Sequence, residues 1–350
     1  MEIRGLSTKD YRQAKALWKT CFGDSDAFID TYFQYAAPIE KSLGLFSGGA
    51  LLSDLFMLDF KAVLSGAVYH APFLAGCATL PEARKKDYMR TLIKQALTQM
   101  KARGIAVTFL HPFLHAFYRK FGYGTVAYVK TRNITSDARL ISREVRHARA
   151  VEQAPLALLA RSYTAFISGY DNYFARGAGR MDAWVRLLFS DGGVLSYIAE
   201  GETAAYAMYY VRGDTAEIFE LVYFDEAQKQ SLLHSTGAKN VTFRTPAPAG
   251  EEEFTMMRAL DPARLLAACP MKERAALVLY IEDSFLETEY RLAVEAAGGA
   301  NKVAMTDAPP DFSMDIGTLA QLVAGSCLPE GQKQLCGVFA PKISCYFEQY

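Results

Sequence analysis

The sequence has no excess of charge, no long apolar run and no paired cysteines, and each absence excludes something. Lysine plus arginine number 38 and aspartate plus glutamate number 38, so no global field draws the chain to nucleic acid or to an anionic membrane. Any anion site must therefore be local. No apolar stretch approaches the roughly 20 residues that cross a bilayer. The opening residues MEIRGLSTKDY lack the apolar core of a secretory signal. Six cysteines, at positions 21, 77, 269, 327, 336 and 345, include no C-x-x-C pair, which argues against a zinc cage and against a disulfide framework. A cytoplasmic protein with free thiols is the expectation, with neither nucleic acid nor membrane among its partners.

What is present is a globular composition, 51% hydrophobic and 22% charged, over 350 residues, enough for two or three domains. The first six residues read as a strand. Ser7 and Asp10 form an S-x-x-D capping pattern ahead of a helix carrying Tyr11, Ala14, Leu17 and Trp18. A second helix is expected from Ser25 to Ala37. Between Ser42 and Leu80, strand-like runs are punctuated by Gly48-Gly49 and Ser65-Gly66. Met89, Leu92, Ile93, Ala96, Leu97 and Met100 then form a helical stripe that Gly104 ends. IAVTFL from Ile105 reads as a buried strand, followed by the compact segment HPFLHAFYRKFGYG. From about 140 to 250 this rhythm repeats loosely, with a helix from Glu152 to Ile167 and then three strands separated by glycine turns. The stretch GAKNVTFRTPAPAGEEE reads as a boundary. Beyond it LVLYIEDSF, TEYRLAVEAA and KVAMTD read as antiparallel strands, and Asp315 to Val323 as a helix. The sequence closes on ISCYFEQY, aromatic where most termini are polar and loose, which points to a docked segment.

The chemistry concentrates in CATLPEARKKDYMRTLI, Cys77 to Ile93. An uncharged strand stops at Pro81, Arg84, Lys85 and Lys86 follow, and the amphipathic helix begins at once. A helix N-terminus exposes unpaired N–H groups and about half a positive charge. With three basic residues beside it, that end suits a phosphate or pyrophosphate. The second copy of the strand-to-helix junction, Phe224-Asp225-Glu226, has no such basic cluster.

The segments ARKKDYMR (83–90) and AFYRKFGYG (116–124), in their order of strand, turn, helix and strand, resemble the GNAT acetyltransferases. The FGD at 22–24, the double α/β layout and the aromatic carboxyl end bring the resemblance to the Eis-like (enhanced intracellular survival) branch. It implies a mixed α/β chain of three parts. Residues 1–138 would be an N-terminal GNAT domain, 139–252 a degenerate GNAT-like domain, and 253–350 a sterol-carrier-like α+β domain with the catalytic carboxyl terminus. It also implies an N-acetyltransferase that passes the acetyl group of acetyl-CoA directly to a primary amine on a small molecule, an aminoglycoside or a lysine side chain, without metal. Hexameric assembly is a further expectation. Carried over by position, Cys77, Ala78 and Thr79 face the pantetheine arm. Arg84, Lys85, Lys86, Asp87, Tyr88, Met89 and Arg90 cradle the pyrophosphate. Phe113 and Leu114 flank the arm, Tyr118 protonates the leaving thiolate, and the α-carboxylate of Tyr350 accepts a proton. A tyrosine, ordinarily near pKa 10, can donate at neutral pH, and a carboxylate can accept.

Asp87 departs from the pattern, standing where the family has a glycine and placing a negative charge among the phosphate ligands. It motivates an alternative: a non-catalytic binding or scaffolding protein derived from a transferase. Asp24 and Asp26 are candidates for an acceptor pocket that prefers cationic amines, against solvated loop carboxylates. Trp184 and Tyr170 could shape a cleft or simply fill a core. His111 and His115 lack a third partner for a metal.

Overall fold

The computed structural model describes residues 1–350 except 273, 274, 299, 327, 340, 341, 347, 349 and 350. Its first sheet begins with β1 (Glu2–Gly5), β2 (Ser42–Ser47) and β3 (Ala50–Leu58), all antiparallel neighbours. The hairpin β4 (Lys61–Leu64) and β5 (Ala67–His70) leaves this sheet, and β6 (Phe73–Thr79) returns to pair with β3. β7 (Val107–Leu110) lies parallel to β6. Helix α1 (Tyr11–Phe22) follows the capping pattern as expected. The Asp10 carboxylate accepts from the Ser7 N–H at 2.9 Å and from Arg4 at 2.8 Å through both guanidinium nitrogens. Ser25 caps α2 (Asp26–Thr31), which runs on into a wider π-helical turn to Ala36. Helix α3 (Tyr88–Ala102) buries Leu92, Ile93, Ala96, Leu97 and Met100 against the sheet, the stripe read from the sequence. Each of the leucine, isoleucine and methionine side chains contributes about 1.5–3 kcal/mol by leaving water, and the alanine less.

The sheets exchange strands across the sequence order. Tyr128–Thr135 crosses into the second sheet and pairs with Asn240–Ala247. Met256–Ala259 returns in the opposite direction to pair with β7. The stretch read as a boundary therefore holds the strand Asn240–Ala247. Its alternation of Val241 and Phe243 with polar neighbours is a half-buried strand pattern, and Pro246 sits near its end. The second sheet is completed by Arg146–Ala148, Val194–Glu200, Thr203–Arg212, Thr215–Val222 and Glu252–Glu253.

A third sheet joins three regions of the chain: β4 and β5, the strand Asn172–Ala175 and the two-residue strand Ser344–Cys345. In the last part Ala276–Asp283, Thr288–Glu295 and Lys302–Met305 are antiparallel, as read. Phe312–Asp315 adds a parallel edge, and Asp315 caps the helix Ile316–Val323 through the Thr318 N–H at 2.7 Å. This part is tied to the first sheet by the buried pair Arg258–Asp283, at 2.7 and 2.8 Å. Among the described residues no helix is long and apolar enough to cross a membrane.

The Arg4 guanidinium and the Ser7 groups hold the buried Asp10 carboxyl well below the usual carboxylate range. A depressed folded pKa contributes stability above the unfolded value, about 3.9, and loses it as pH falls through the folded one. Asp10→Ala is expected to cost about 2 kcal/mol at pH 7. Urea denaturation at pH 7 and pH 2.5 checks this, the difference between variant and wild type shrinking at the lower pH.

Candidate active site

β6 and β7 pair at only two positions, Phe73 with Phe109 and Leu74 with Leu110. β7 then ends at His111-Pro112, where proline supplies no N–H to continue a ladder. β6 runs on to Thr79, so from Ala75 onward its backbone on that side has no strand partner. Gly76 sits at the point of departure with φ +55°. A Cβ there would lie 2.4 Å from the Trp18 ring and 2.9 Å from Phe56, so both conformation and space demand glycine.

Past Pro81 the chain makes a tight turn before α3. Lys85 and Asp87 both adopt left-handed backbone, with φ +62° and +56°. Arg84 and Lys85 form a tight turn that the Lys86 N–H closes. Among the described residues no acceptor within the protein is found for the N–H groups of Lys85 and of Asp87 to Arg90; the first bond of the helix is from Thr91 N–H to the Asp87 carbonyl at 2.9 Å. Those amides are open at one corner. Lys85, Lys86 and Asp87 are exposed, and among the described residues the Asp87 carboxylate forms neither a cap nor an ion pair. Aspartate tolerates the left-handed conformation better than most side chains, and its charge points to water. Arg84 turns away from the corner, donating to the Thr79 carbonyl at 3.2 Å. Tyr88 and Met89 are half-buried on the α3 core, and Arg90 lies over the Phe285 ring at 4.9 Å.

Tyr118 stands on the short helix α4 (His115–Arg119), 4% exposed. Phe117 packs edge-on to it at 5.1 Å, Phe113 at 5.9 Å and Tyr123 at 6.2 Å. Its hydroxyl faces the Cys77 thiol. Burial, and then this neighbour, hold the phenol well above its ordinary value, so it carries its proton at neutral pH. Burial also pushes the Cys77 thiol up to about 12, which leaves it a poor nucleophile. Phe113 and Leu114 are exposed at the mouth of the gap, a place where an apolar ligand segment would cover them. His111, its ring tilted against Phe254 at 4.5 Å, is pushed by burial to about 4 and is neutral.

A cleft of about 420 Å³ opens on the other side of Trp18, lined by Asp24, Trp184, Asp191, Tyr210, Phe219 and Arg244 among others. The Trp18 indole donates to Asp24 at 2.7 Å while its far edge abuts Gly76, so one ring separates this cleft from the open strand. Asp191 has a raised pKa, through burial and the nearby Asp24 charge. Asp26 stays outside the cleft and pairs with Lys19 at 3.1 Å. Trp184 is a cleft wall, donating to the buried Glu220 at 3.0 Å; Tyr170 lies elsewhere, packed on Phe166. No cluster of metal-ligating side chains occurs among the described residues.

The carboxyl-terminal segment docks against the same region. Ser344–Cys345 runs parallel to Asn172–Tyr173, and the buried Tyr346 ring lies 5.2 Å from Phe109 and 4.7 Å from Phe174. Tyr350, the expected proton acceptor, lies outside the described residues.

Comparison with known proteins follows the same lines. Residues 2–126 match the acetyltransferase (GNAT) domain model, and residues 262–339 match the sterol carrier protein domain. The chain contains these two domains, and its mixed α/β architecture has GNAT-fold neighbours over its full length. A GCN5-related N-acetyltransferase from Anabaena variabilis covers 100% of each chain at TM-score 0.82 and 17% identity. A probable N-acyltransferase from Enterococcus faecalis covers 100% of this chain and 99% of its own, at TM-score 0.81 and 16% identity. Eis1 from Mycobacterium abscessus covers 100% of both at TM-score 0.75 and 18% identity. At such identities the likeness is one of fold. None of the curated proteins matches the chain. A GNAT fold is one built for acyl transfer, and it generally uses acetyl-CoA.

Sequence reading did not anticipate Asp54. It lies opposite Ala78 on β3, 1% exposed, and its Oδ2 has no hydrogen-bond partner. Burial holds its carboxyl well above the usual range. A raised folded pKa favours the fold below the unfolded value of about 3.9, an advantage lost as pH rises through the folded value. Asp54→Asn is expected to stabilise the protein by about 1–3 kcal/mol at pH 7, with the gain shrinking toward pH 3.5. Urea midpoints at the two pH values test this; a lower midpoint at pH 7 would contradict it.

Proposed function

We propose that the protein is an acetyl-CoA-dependent N-acetyltransferase of the Eis-like type, with tandem GNAT domains, that transfers acetyl directly to a primary amine. The observation that carries this reading is the set of open amides at Lys85 and at Asp87 to Arg90, next to the unpaired edge of β6 that leads to Tyr118. Those groups fit coenzyme A: amide donors at a helix N-terminus for a pyrophosphate, and an open strand edge for the amides of a pantetheine arm. Bound acetyl-CoA would supply the thioester whose acyl group is transferred.

The protein's own part is orientation and proton handling. Cys77, Ala78 and Thr79 would present backbone groups to the arm, and Phe113 and Leu114 would close over it. Tyr118, kept protonated by burial, would give its hydroxyl proton to the departing sulfur. The cleft beside Trp18 would hold the acceptor, with Asp24 and Asp191 favouring a cationic amine and the aromatic walls excluding water. We assign the role of proton acceptor to the α-carboxylate of Tyr350, on the resemblance described above.

Left-handed Asp87 gives the alternative, a binding protein with an impaired cofactor turn, one specific observation in its favour. The two readings separate in a titration with acetyl-CoA followed by thiol release with tyramine, spermidine, kanamycin and a lysine peptide. The enzyme reading expects saturable binding and turnover with at least one amine; absence of heat at millimolar coenzyme A ends it. Tyr118→Phe is expected to lower kcat about 10²–10⁴-fold with coenzyme affinity retained. Asp87→Gly removes the repulsion and should tighten coenzyme binding by about threefold to tenfold at low salt. Thiol release reads the change in kcat, and calorimetry reads the coenzyme affinity of both variants.

A further inference from the structure

The transfer reading leaves unused a buried array of charge between the middle region and the carboxyl-terminal segment. Arg176, 4% exposed, follows the strand Asn172–Ala175. Its Nη1 and Nη2 donate to the two Glu220 oxygens at 2.8 and 2.9 Å. Its Nε and Nη2 also donate to Glu348 Oε1 at 3.2 and 2.8 Å. Glu348 is 1% exposed, and its other oxygen faces Arg180 at 3.7 Å. Arg180 in turn lies 3.9 Å over the Phe60 ring. Glu220 accepts two more bonds, from the Tyr206 hydroxyl at 2.7 Å and from the Trp184 indole at 3.0 Å.

This arrangement is more than a structural ion pair. A buried pair is often no better for stability than apolar packing, but it fixes geometry, and breaking it leaves a charge stranded. Here the geometry fixed is that of two separate things. Trp184 is a wall of the cleft beside Asp24, while Glu348 belongs to the segment whose Tyr346 packs on Phe109 of β7. Glu220 touches Trp184 and Arg176, and Arg176 touches Glu348. Cleft wall and tail therefore share one rigid set of hydrogen bonds. Helix Ala178–Ser190 carries both Arg180 and Trp184, which reinforces the link.

We propose that Glu348 is a positioning residue for the acceptor half of the reaction. Clamped by Arg176 and Arg180, it seats the carboxyl-terminal segment against the cleft, and through Glu220 it sets the Trp184 wall. The proposal rests on the transferase reading for its kinetic consequence, but the latch itself has a readout that needs no turnover.

Glu348→Gln keeps the side-chain volume and leaves Arg176 paired with Glu220. In the full-length protein, hydrogen exchange followed by mass spectrometry is expected to rise by about tenfold or more at residues 344–346 and over 178–190, while 73–102 is unchanged. With the amine of the panel above that the wild type turns over fastest, the variant should lose about tenfold or more in kcat/KM for the amine, its dissociation constant for acetyl-CoA staying within about twofold of wild type. Glu348→Asp, which keeps the charge, should recover part of the loss. Unchanged exchange at 344–346 overturns the latch. Faster exchange there with 178–190 unmoved, or with unaltered amine kinetics, overturns the positioning role. A wild type inactive with every amine would count against the transferase reading and the kinetic role together, while the exchange comparison still decides whether the latch exists.

Discussion

Two residue pairs join β6 to β7, and then the strands part. The candidate cofactor site is arranged around that parting. Pro112 ends one strand, and Gly76 lets the other bend past Trp18. Among the described residues the β6 backbone beyond Ala75 has no strand partner on that side, and amides and carbonyls are costly to leave away from water without a partner. A sheet that opens in this way in its interior is built to accept something that replaces the missing strand. The open amides at Lys85 and at Asp87 to Arg90 stand at one end of the gap and the Tyr118 hydroxyl beside its wall, so a ligand lying along β6 would meet both.

The rest of the fold holds this gap open. α3 buries an aliphatic stripe on one face and brings its N-terminus to the corner. Trp18 fills the other face and separates the gap from the cleft by the thickness of an indole. The strand Met256–Ala259, returning from the middle of the chain, occupies the far side of β7, so β7 cannot shift toward β6 to close the sheet. The exchange of Tyr128–Thr135 into the second sheet binds the first two regions together, and the pair Arg258–Asp283 does the same for the last. Charges placed at such joints are buried and bonded, whereas Lys85, Lys86 and Asp87 at the corner before α3 are exposed.

Local patterns carried much of this. The capping pair Ser7 and Asp10, the stripe on α3, the glycine turns between strands and the basic turn after Pro81 each depend on neighbours within about four residues, and each was readable. The resemblance of ARKKDYMR and AFYRKFGYG extended the reading to a gap, a phosphate corner and Tyr118. Other features were partly visible. Glu220 shares a strand face with Ala216, Ile218 and Val222, and a carboxylate among such neighbours calls for a buried partner. The partner's name is not in the pattern. Asp54 was hidden by the irregular register of β3, where a bulge interrupts the alternation that would have marked it as inward-facing.

The sequence by itself determined most of the elements and the site of positive charge, because these follow from short-range sterics, periodicity and charge; the expectation of acyl transfer came from the resemblance of two short motifs to a family. Only the tertiary structure decided that Asp24 enters the cleft while Asp26 pairs with Lys19, that Trp184 is a wall rather than filler, and that Arg176 binds Glu220 and also Glu348, 172 positions further along the chain than itself. Those outcomes depend on which sheets exchange strands. Long-range pairing is set by the combined burial of many apolar faces, and no window of sequence contains that sum.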